Sequence, residues 1–224
     1  MLFVFDLDGT LIDSRRDLTD ASNDLLAAHG AAPLEEQTVG AMVGEGAATL
    51  VRRVLAVRQV DVPAAEALHE FLALYDRRLV NHTRPYAGIP ETLVQLRQHG
   101  SLAVLTNKPL AATERILEAL ALRDHFQCVV GGDGPHGRKP EPAGLRAIMT
   151  SARETRDQTV LVGDSLIDLE TARNAGTRIC LTRYGFGFCN CPPSALRGDE
   201  LFVDRPEELV TRLAPLGHLS KGSS

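Results

Sequence analysis

The sequence predicts an α/β fold in which a doubly wound parallel sheet carries a small inserted domain of α-helices. Short apolar runs rich in Val, Ile, Leu and Phe recur along the chain, and helical patterns alternate with the later ones. The interval between the first and second runs is far too long for one crossover helix, and it contains helical patterns of its own.

Five apolar runs have the length and composition of buried parallel strands. They lie at residues 2–5, 102–105, 128–130, 160–162 and 179–181. The helical patterns that alternate with them lie at residues 90–99, 110–121, 141–152 and 166–175. Successive βα units of this kind are joined by right-handed crossovers, so they predict a doubly wound sheet.

The long interval after the first strand predicts a separate helical domain. Three helical patterns, near residues 15–29, 47–58 and 64–80, each carry one apolar stripe that could pack into a small bundle. We therefore predict a core made of residues 1–13 and 85–224, and an inserted domain made of residues 14–84. The polar tail from Ser220 to Ser224 is predicted to be disordered.

Composition excludes several classes of partner. The chain has 224 residues, a formal charge of -5 and no block of Lys or Arg, which argues against a nucleic-acid partner. It lacks an apolar stretch of the roughly 20 residues that cross a bilayer, and its start lacks the pattern of a signal peptide. We expect a cytoplasmic protein. The four cysteines are too sparse for a disulfide scaffold, and the pair Cys189 and Cys191 has no matching second half for a metal site.

Polar residues follow the predicted strands where each strand ends. Asp6 follows the first strand, Thr106 and Asn107 the second, and Asp164 the fourth. In open α/β sheets the ligand binds outside the carboxyl ends of the strands, so side chains distant in sequence can converge there. The sequence therefore predicts a site at this edge of the sheet.

The acids of this edge predict a magnesium site. Asp6, Asp8, Asp164 and Asp168 could not all stay ionised together without a cation, and Lys139 alone is insufficient. Oxygen ligands without nearby His or Cys suit Mg²⁺ better than Zn²⁺. Magnesium in turn indicates a phosphorylated substrate, which we expect to be a small metabolite.

The same residues offer the groups that phosphoryl transfer needs. Asp6 could attack phosphorus to give an aspartyl-phosphate, and Asp8 could protonate the leaving oxygen and later activate water. Thr106, the backbone N–H of Asn107, and Lys139 could hold the phosphoryl oxygens, while Asp164 holds the metal.

Four motifs in this order resemble the haloacid dehalogenase superfamily of aspartate-nucleophile phosphatases. They are Asp6-Leu7-Asp8-Gly9-Thr10-Leu11, Leu105-Thr106-Asn107, Arg138-Lys139-Pro140 and Gly163-Asp164-Ser165-Leu166-Ile167-Asp168. The resemblance implies a Rossmann-like core, with the inserted helices as a cap of the small helical (C1) type that closes over it and excludes water.

The resemblance also implies roles for single residues. Asp6 would be the nucleophile and a metal ligand, Asp8 the acid and base whose backbone carbonyl also binds the metal, and Asp164 the third protein ligand. Asp168 is expected to support these ligands without binding the metal. Thr106 and Lys139 would be catalytic, and Asn107, Gly9 and Thr10 would bind substrate. Asp8 argues against dehalogenation, because a departing halide needs no proton.

Three weaker markers resemble the phosphoglycolate phosphatase family within this superfamily. They are Thr106-Asn107-Lys108-Pro109, the turn Val43-Gly44-Glu45-Gly46 and the pair Tyr184-Gly185. They imply hydrolysis of 2-phosphoglycolate to glycolate and phosphate. The alternatives are a phosphosugar mutase, a pyrophosphatase or a sugar phosphatase of the same superfamily, a phospho-accepting receiver-type signalling module, and a non-catalytic binding protein.

Some of these residues also fit ordinary structural roles. Asp164 and Asp168 could cap a helix, and this interpretation fits Asp168 better. Lys108 is expected as a solvated lysine at the rim of the site. Arg52 and Arg53 are expected on a solvated helix face, although they could bind a substrate carboxylate.

Overall fold

A parallel sheet forms the centre of the protein in the computed structural model, which describes residues 1–216. Within these residues its strands are β1 (Leu2–Phe5), β4 (Ser101–Leu105), β5 (Cys128–Val130), β6 (Thr159–Gly163), β7 (Arg178–Thr182) and β8 (Leu201–Val203). They lie in the order β5-β4-β1-β6-β7-β8, and every pair is parallel. The polar tail predicted from Ser220 to Ser224 lies outside the described residues.

The central strand β1 is buried on both faces, which explains its unbroken apolar sequence. It pairs with β4 on one side and β6 on the other. Phe3 and Phe5 belong to one apolar core, and Leu2 and Val4 belong to a second core. Because side chains alternate between the two faces of a strand, β1 contributes to both.

Helices cover the two faces of the sheet. They are α5 (Ile89–Leu96), α6 (Leu110–Ala119), α7 (Ala143–Ala152), α8 (Leu166–Ala175) and α9 (Glu208–Leu213). Buried side chains of α5, α6 and α9 join the core of Phe3 and Phe5, whereas those of α7 and α8 join the core of Leu2 and Val4. The predicted doubly wound α/β fold is confirmed.

A group of helices stands between β1 and β4 in the chain. They are α1 (Arg15–Ala28), α2 (Glu36–Gly40), α3 (Ala47–Val57) and α4 (Ala64–Asp76). Helix α1 packs against α2 and α4, and α3 packs against α4. Two short strands, β2 (Ile12–Asp13) and β3 (Arg84–Pro85), pair antiparallel where the chain leaves and re-enters the core. We call α1 to α4 with their connecting loops the cap.

The two-residue strands β2 and β3, strand β8 and helices α2 and α9 have no counterpart in the sequence prediction. Strand β8 has three residues and helices α2 and α9 have five and six, so none is long enough to show a clear period. None of the helices in the described part of the chain combines the length and apolar character that crossing a bilayer requires.

One buried carboxylate fixes the cap to the segment that returns to the core. Asp17 of α1 is fully buried. Its carboxylate accepts hydrogen bonds from the backbone N–H groups of His82 and Thr83 and, at 2.7 Å, from the Thr83 hydroxyl. Asp17 thereby satisfies two buried donors of Thr83 and one partly buried donor of His82.

Replacing this carboxylate should loosen the base of the cap. We expect Asp17→Asn to lower the free energy of unfolding by about 2 to 3 kcal/mol, because an amide cannot accept on both of its polar atoms. Asp20→Asn on the same helix removes only a partly exposed ion pair with Arg16, and should cost less than about 1 kcal/mol. Urea denaturation of both variants measures the difference, and equal losses would contradict this role for Asp17.

Candidate active site

The end of β1 leads directly into the site. The Asp6 N–H donates to the Val162 carbonyl at 2.9 Å, so pairing with β6 continues one residue past the strand. A tight turn follows, in which the N–H groups of Thr10, Leu11 and Ile12 all donate to the Leu7 carbonyl. Both carboxyl groups are largely buried, with 8% of the Asp6 side chain and 11% of the Asp8 side chain exposed.

Three carboxyl groups meet beside one lysine. Oxygens of Asp6, Asp164 and Asp168 all lie within 4.8 Å of one another, and all three residues are buried. Lys139 Nζ lies 2.7 Å from Asp6 Oδ1 and 2.7 Å from Asp168 Oδ1. The structure thus brings together four residues that the sequence predicted to converge from three separate motifs.

This crowding raises the pKa values of the acids. Burial raises the pKa of Asp6 to about 7, against the lowering effect of Lys139 and with a further increase from Asp168. Burial also raises the pKa of Asp164 well above its ordinary value, and the charges of Asp168 and Asp6 add to this. One lysine is therefore insufficient to keep both carboxyl groups ionised.

The donor set fits a hard divalent cation. Asp168 already accepts from Lys139, and its other oxygen accepts from the N–H and hydroxyl of Ser165 in the capping box of α8. Asp6 and Asp164 are left with the largest need for positive charge, and they offer oxygen only, the ligand type that such cations prefer. The two roles considered for Asp168, helix cap and support of the site, are combined in one side chain.

Glycines hold the Asp164 side chain in place. The Gly187 N–H donates to Asp164 Oδ2 at 2.7 Å. A methyl group added at Gly9, where φ is +86°, would lie 1.9 Å from Asp164 Oδ2, and one added at Gly185 would lie 2.3 Å from Asp164 Cβ. Gly187 had no predicted role, although the run Tyr184-Gly185-Phe186-Gly187 after β7 was a visible signal.

Gly9 lies against Asp164, and Thr10 follows it in the same turn. Thr10 is fully buried, its carbonyl accepts from the Tyr184 hydroxyl at 2.9 Å, and its hydroxyl has no partner within the described residues. Neither residue lines the cavity between the cap and the carboxyl ends of the strands. The role in substrate binding predicted for them stays a prediction.

The Asn107 side chain connects three segments of the site. Its amide oxygen accepts from the Lys139 N–H at 2.8 Å. Its amide nitrogen donates to the Lys139 carbonyl at 3.0 Å and to the Gly44 carbonyl of the cap at 2.9 Å. Thr106 is buried beside it, and its hydroxyl accepts from the Lys108 N–H at 3.2 Å. The phosphate contact predicted for Asn107 therefore rests on its backbone N–H.

The expected position of Lys108 at the solvated rim is wrong. Lys108 is buried, and its Nζ lies 2.9 Å from both carboxylate oxygens of Asp8 and 2.9 Å from the Tyr75 hydroxyl of α4. The Ser14 hydroxyl donates to Asp8 as well. The side chain is buried because the cap covers it. Tyr75 and Ser14 were missed, since Tyr75 is indistinguishable in sequence from the other members of an apolar helical stripe.

A cavity of about 320 Å³ lies between the cap and the carboxyl ends of the strands. Its core side is formed by Asp6, Asp8, Thr106, Asn107 and Lys108, and its cap side by α1, α3, α4 and the turn that precedes α3. Arg52 and Arg53 do not line it. Arg53 instead pairs with Glu45 and donates to the Met42 carbonyl.

The profile of one protein family, described as haloacid dehalogenase-like hydrolase, matches residues 3–182 of the chain. The chain belongs to this family. A relative from Rhodospirillum rubrum named phosphoglycolate phosphatase is 42% identical over 191 residues, covering 82% of this chain and 79% of the relative. A relative from Pseudomonas aeruginosa named N-acetylmuramic acid 6-phosphate phosphatase is 34% identical over 209 residues, covering 92% of each chain.

A solved structure also resembles this haloacid dehalogenase-like hydrolase over most of its length. The crystal structure of a predicted phosphoglycolate phosphatase from Haemophilus somnus superposes with a TM-score of 0.87 at 29% identity, covering 94% of this chain and 96% of that one. The predicted superfamily and the predicted enzyme class, a phosphatase, are confirmed.

The contact between Gly9 and Asp164 can be tested with a matched pair of variants. We expect Gly9→Ala to weaken Mg²⁺ binding at least tenfold, because the new methyl group would displace the Asp164 carboxylate. Gly198→Ala is the control, since Gly198 has a similar φ of +91° with nothing within 4 Å of the added methyl group. Isothermal calorimetry with Mg²⁺ measures both, and equal affinities would contradict the contact.

The raised pKa values predict that cation binding depends on pH. A cation must displace the protons that Asp6 and Asp164 retain at low pH, so the affinity for Mg²⁺ should rise as the pH rises towards 7, the approximate pKa of Asp6. The expected slope below that point is about tenfold per pH unit for each proton released. Calorimetric titrations from pH 5.5 to 8 check this, and a flat profile would disprove it.

Proposed function

We propose that the chain is a Mg²⁺-dependent phosphomonoester hydrolase that acts through an aspartyl-phosphate on Asp6. Its substrate is a small phosphorylated metabolite of the cytoplasm, and 2-phosphoglycolate is the favoured one. The observation that carries the proposal is the position of Asp6, which lines the cavity and at the same time lies within the cluster of Asp164 and Asp168.

Asp6, Asp164 and the backbone carbonyl of Asp8 would hold Mg²⁺. When bound, the ion would stabilise the negative charge that collects on the phosphoryl oxygens and keep Asp6 ionised. Asp6 needs this help because burial raises its pKa to about 7. Lys139, 2.7 Å from Asp6, would add a second positive charge beside the same oxygens.

The reaction needs two displacements at phosphorus. In the first, an Asp6 carboxylate oxygen bonds to phosphorus, the bond to the leaving oxygen breaks, and Asp8 gives that oxygen its proton. In the second, Asp8 takes a proton from a water molecule, whose oxygen attacks phosphorus and releases phosphate from Asp6. Asp8 can serve both steps because, like Asp6, it lines the cavity.

The substrate is proposed from the relatives. Several with 34 to 42% identity are named for phosphoglycolate or N-acetylmuramic acid 6-phosphate, and all are named phosphatases. A sugar phosphatase is the second candidate, because one of these relatives is named for a sugar phosphate. A receiver-type module is disfavoured because its acceptor lies well inside a chain of about 120 residues, whereas Asp6 directly follows the first strand and a cap covers it.

The decisive experiment measures phosphate release from 2-phosphoglycolate with and without Mg²⁺. We expect Asp6→Asn to lower kcat by about 10⁴-fold or more, as loss of a nucleophile does. Asp20→Asn, an exchange of the same kind at a residue that does not line the cavity, is the control and should retain the parent rate. Mass spectrometry of rapidly quenched parent protein should find phosphate on Asp6.

Three results would change the proposal. Equal rates for Asp6→Asn and the parent protein would show that Asp6 is not the nucleophile. Faster hydrolysis of sugar phosphates or pyrophosphate than of 2-phosphoglycolate would replace the substrate and keep the chemistry. Isomerised sugar phosphate with little free phosphate would indicate a mutase.

A further inference from the structure

The cavity beside Asp6 has one polar end and one apolar end. The groups predicted to react or to bind phosphate stand on the core side. The cap side is formed largely by aliphatic and aromatic side chains, among them Leu18, Leu50, Phe71, Leu72 and Leu79, and Ala111 and Ala112 of α6 continue this wall. A phosphate held at Asp6 would therefore direct its leaving group towards apolar surface.

The size of the cavity exceeds what a two-carbon leaving group needs. An apolar cavity of about 150 Å³ holds a group the size of benzene. The cavity of about 320 Å³ beside Asp6 also has to hold the phosphoryl group. The remaining volume accommodates an organic group of several carbon atoms.

Most of the cap-side wall is uncharged and offers its surface to an uncharged leaving group. Within the described residues, Lys108 is the one cationic side chain of the wall, and Asp8 and the Tyr75 hydroxyl already occupy its Nζ. The remaining charged residue of the cap side is Asp76, an anion that pairs with Arg115. A second anionic group on the substrate would have to share Lys108 with Asp8 and Tyr75, whereas an apolar group would replace water against apolar walls.

We propose that this pocket also accepts phosphomonoesters of uncharged alcohols that carry an apolar chain, as a further class of substrate. The proposal rests on the proposed function, because Asp6 and Asp8 supply the chemistry. Water and the ester give the alcohol and phosphate: the bond between phosphorus and the alcohol oxygen breaks, that oxygen takes its proton from Asp8, and the oxygen of water completes the phosphate.

A series of alkyl phosphates tests the pocket directly. With Mg²⁺ present, kcat/KM should rise from ethyl to n-butyl to n-hexyl phosphate, by about two- to fourfold for each methylene that is buried. Ethyl phosphate and 2-phosphoglycolate both have two carbon atoms, so comparing them isolates the effect of the carboxylate. The n-hexyl to ethyl ratio of kcat/KM is the quantity to follow in the variants.

Two variants test whether any such increase in kcat/KM depends on this cavity. Leu72→Gln makes its wall polar, and Ala111→Phe fills part of it; both residues are exposed, so folding is preserved. We expect each to lower the n-hexyl to ethyl ratio by about threefold or more, as loss of one to two buried methylenes would. Val57→Gln changes another exposed aliphatic residue of the cap that does not line the cavity, and should leave the ratio unchanged.

The outcomes separate the two proposals. If no ester, including 2-phosphoglycolate, is hydrolysed, the proposed function fails. If 2-phosphoglycolate is hydrolysed while the alkyl series is flat or falls with length, the apolar pocket is overturned and the function stands. A series that rises with length but is insensitive to both Leu72→Gln and Ala111→Phe would overturn the assignment to this cavity.

Discussion

The site depends on one electrostatic constraint: the carboxyl groups of Asp6 and Asp164 are buried together beside one buried lysine, Lys139. Charges removed from water need opposite charge or hydrogen bonds, and here Asp168 shares the same lysine. The lysine therefore does not supply enough positive charge to balance the carboxyl groups of Asp6, Asp164 and Asp168. A divalent cation bound by these oxygens would supply the missing charge.

The fold keeps these groups together against their repulsion. Strand β1 is fully buried between β4 and β6, so the position of Asp6 is fixed by pairing on both sides. Asp164 follows the neighbouring strand β6 and is confined by Gly9, Gly185 and Gly187. Packing of the rigid sheet and the close backbone of these turns stabilise a local arrangement that electrostatics alone would disperse.

The sequence predicts the parts of this site that are local or repeated. The apolar run that leads into Asp6 and the alternation of strands and helices are enough to predict the sheet and the edge that carries the site. Both features can be recognised within short segments of the chain. The burial of Lys108 and its contact with Tyr75 depend on how the cap packs against the core, and no periodicity encodes that. Strand β8, with three residues, is too short to give a pattern of its own.

The core and the cap contribute different kinds of side chain to the cavity wall. The core side carries the groups predicted to react, whereas the cap contributes a wall with few polar groups. The two sides are joined at Asn107, which bonds to Gly44 of the cap, and at Lys108, which bonds to Tyr75. Because Lys108 also holds the Asp8 carboxylate, the group predicted to protonate the leaving oxygen is held from both sides of the cavity. A group that fills the cap side of the cavity would contact Tyr75, whose hydroxyl shares Lys108 with the Asp8 carboxylate.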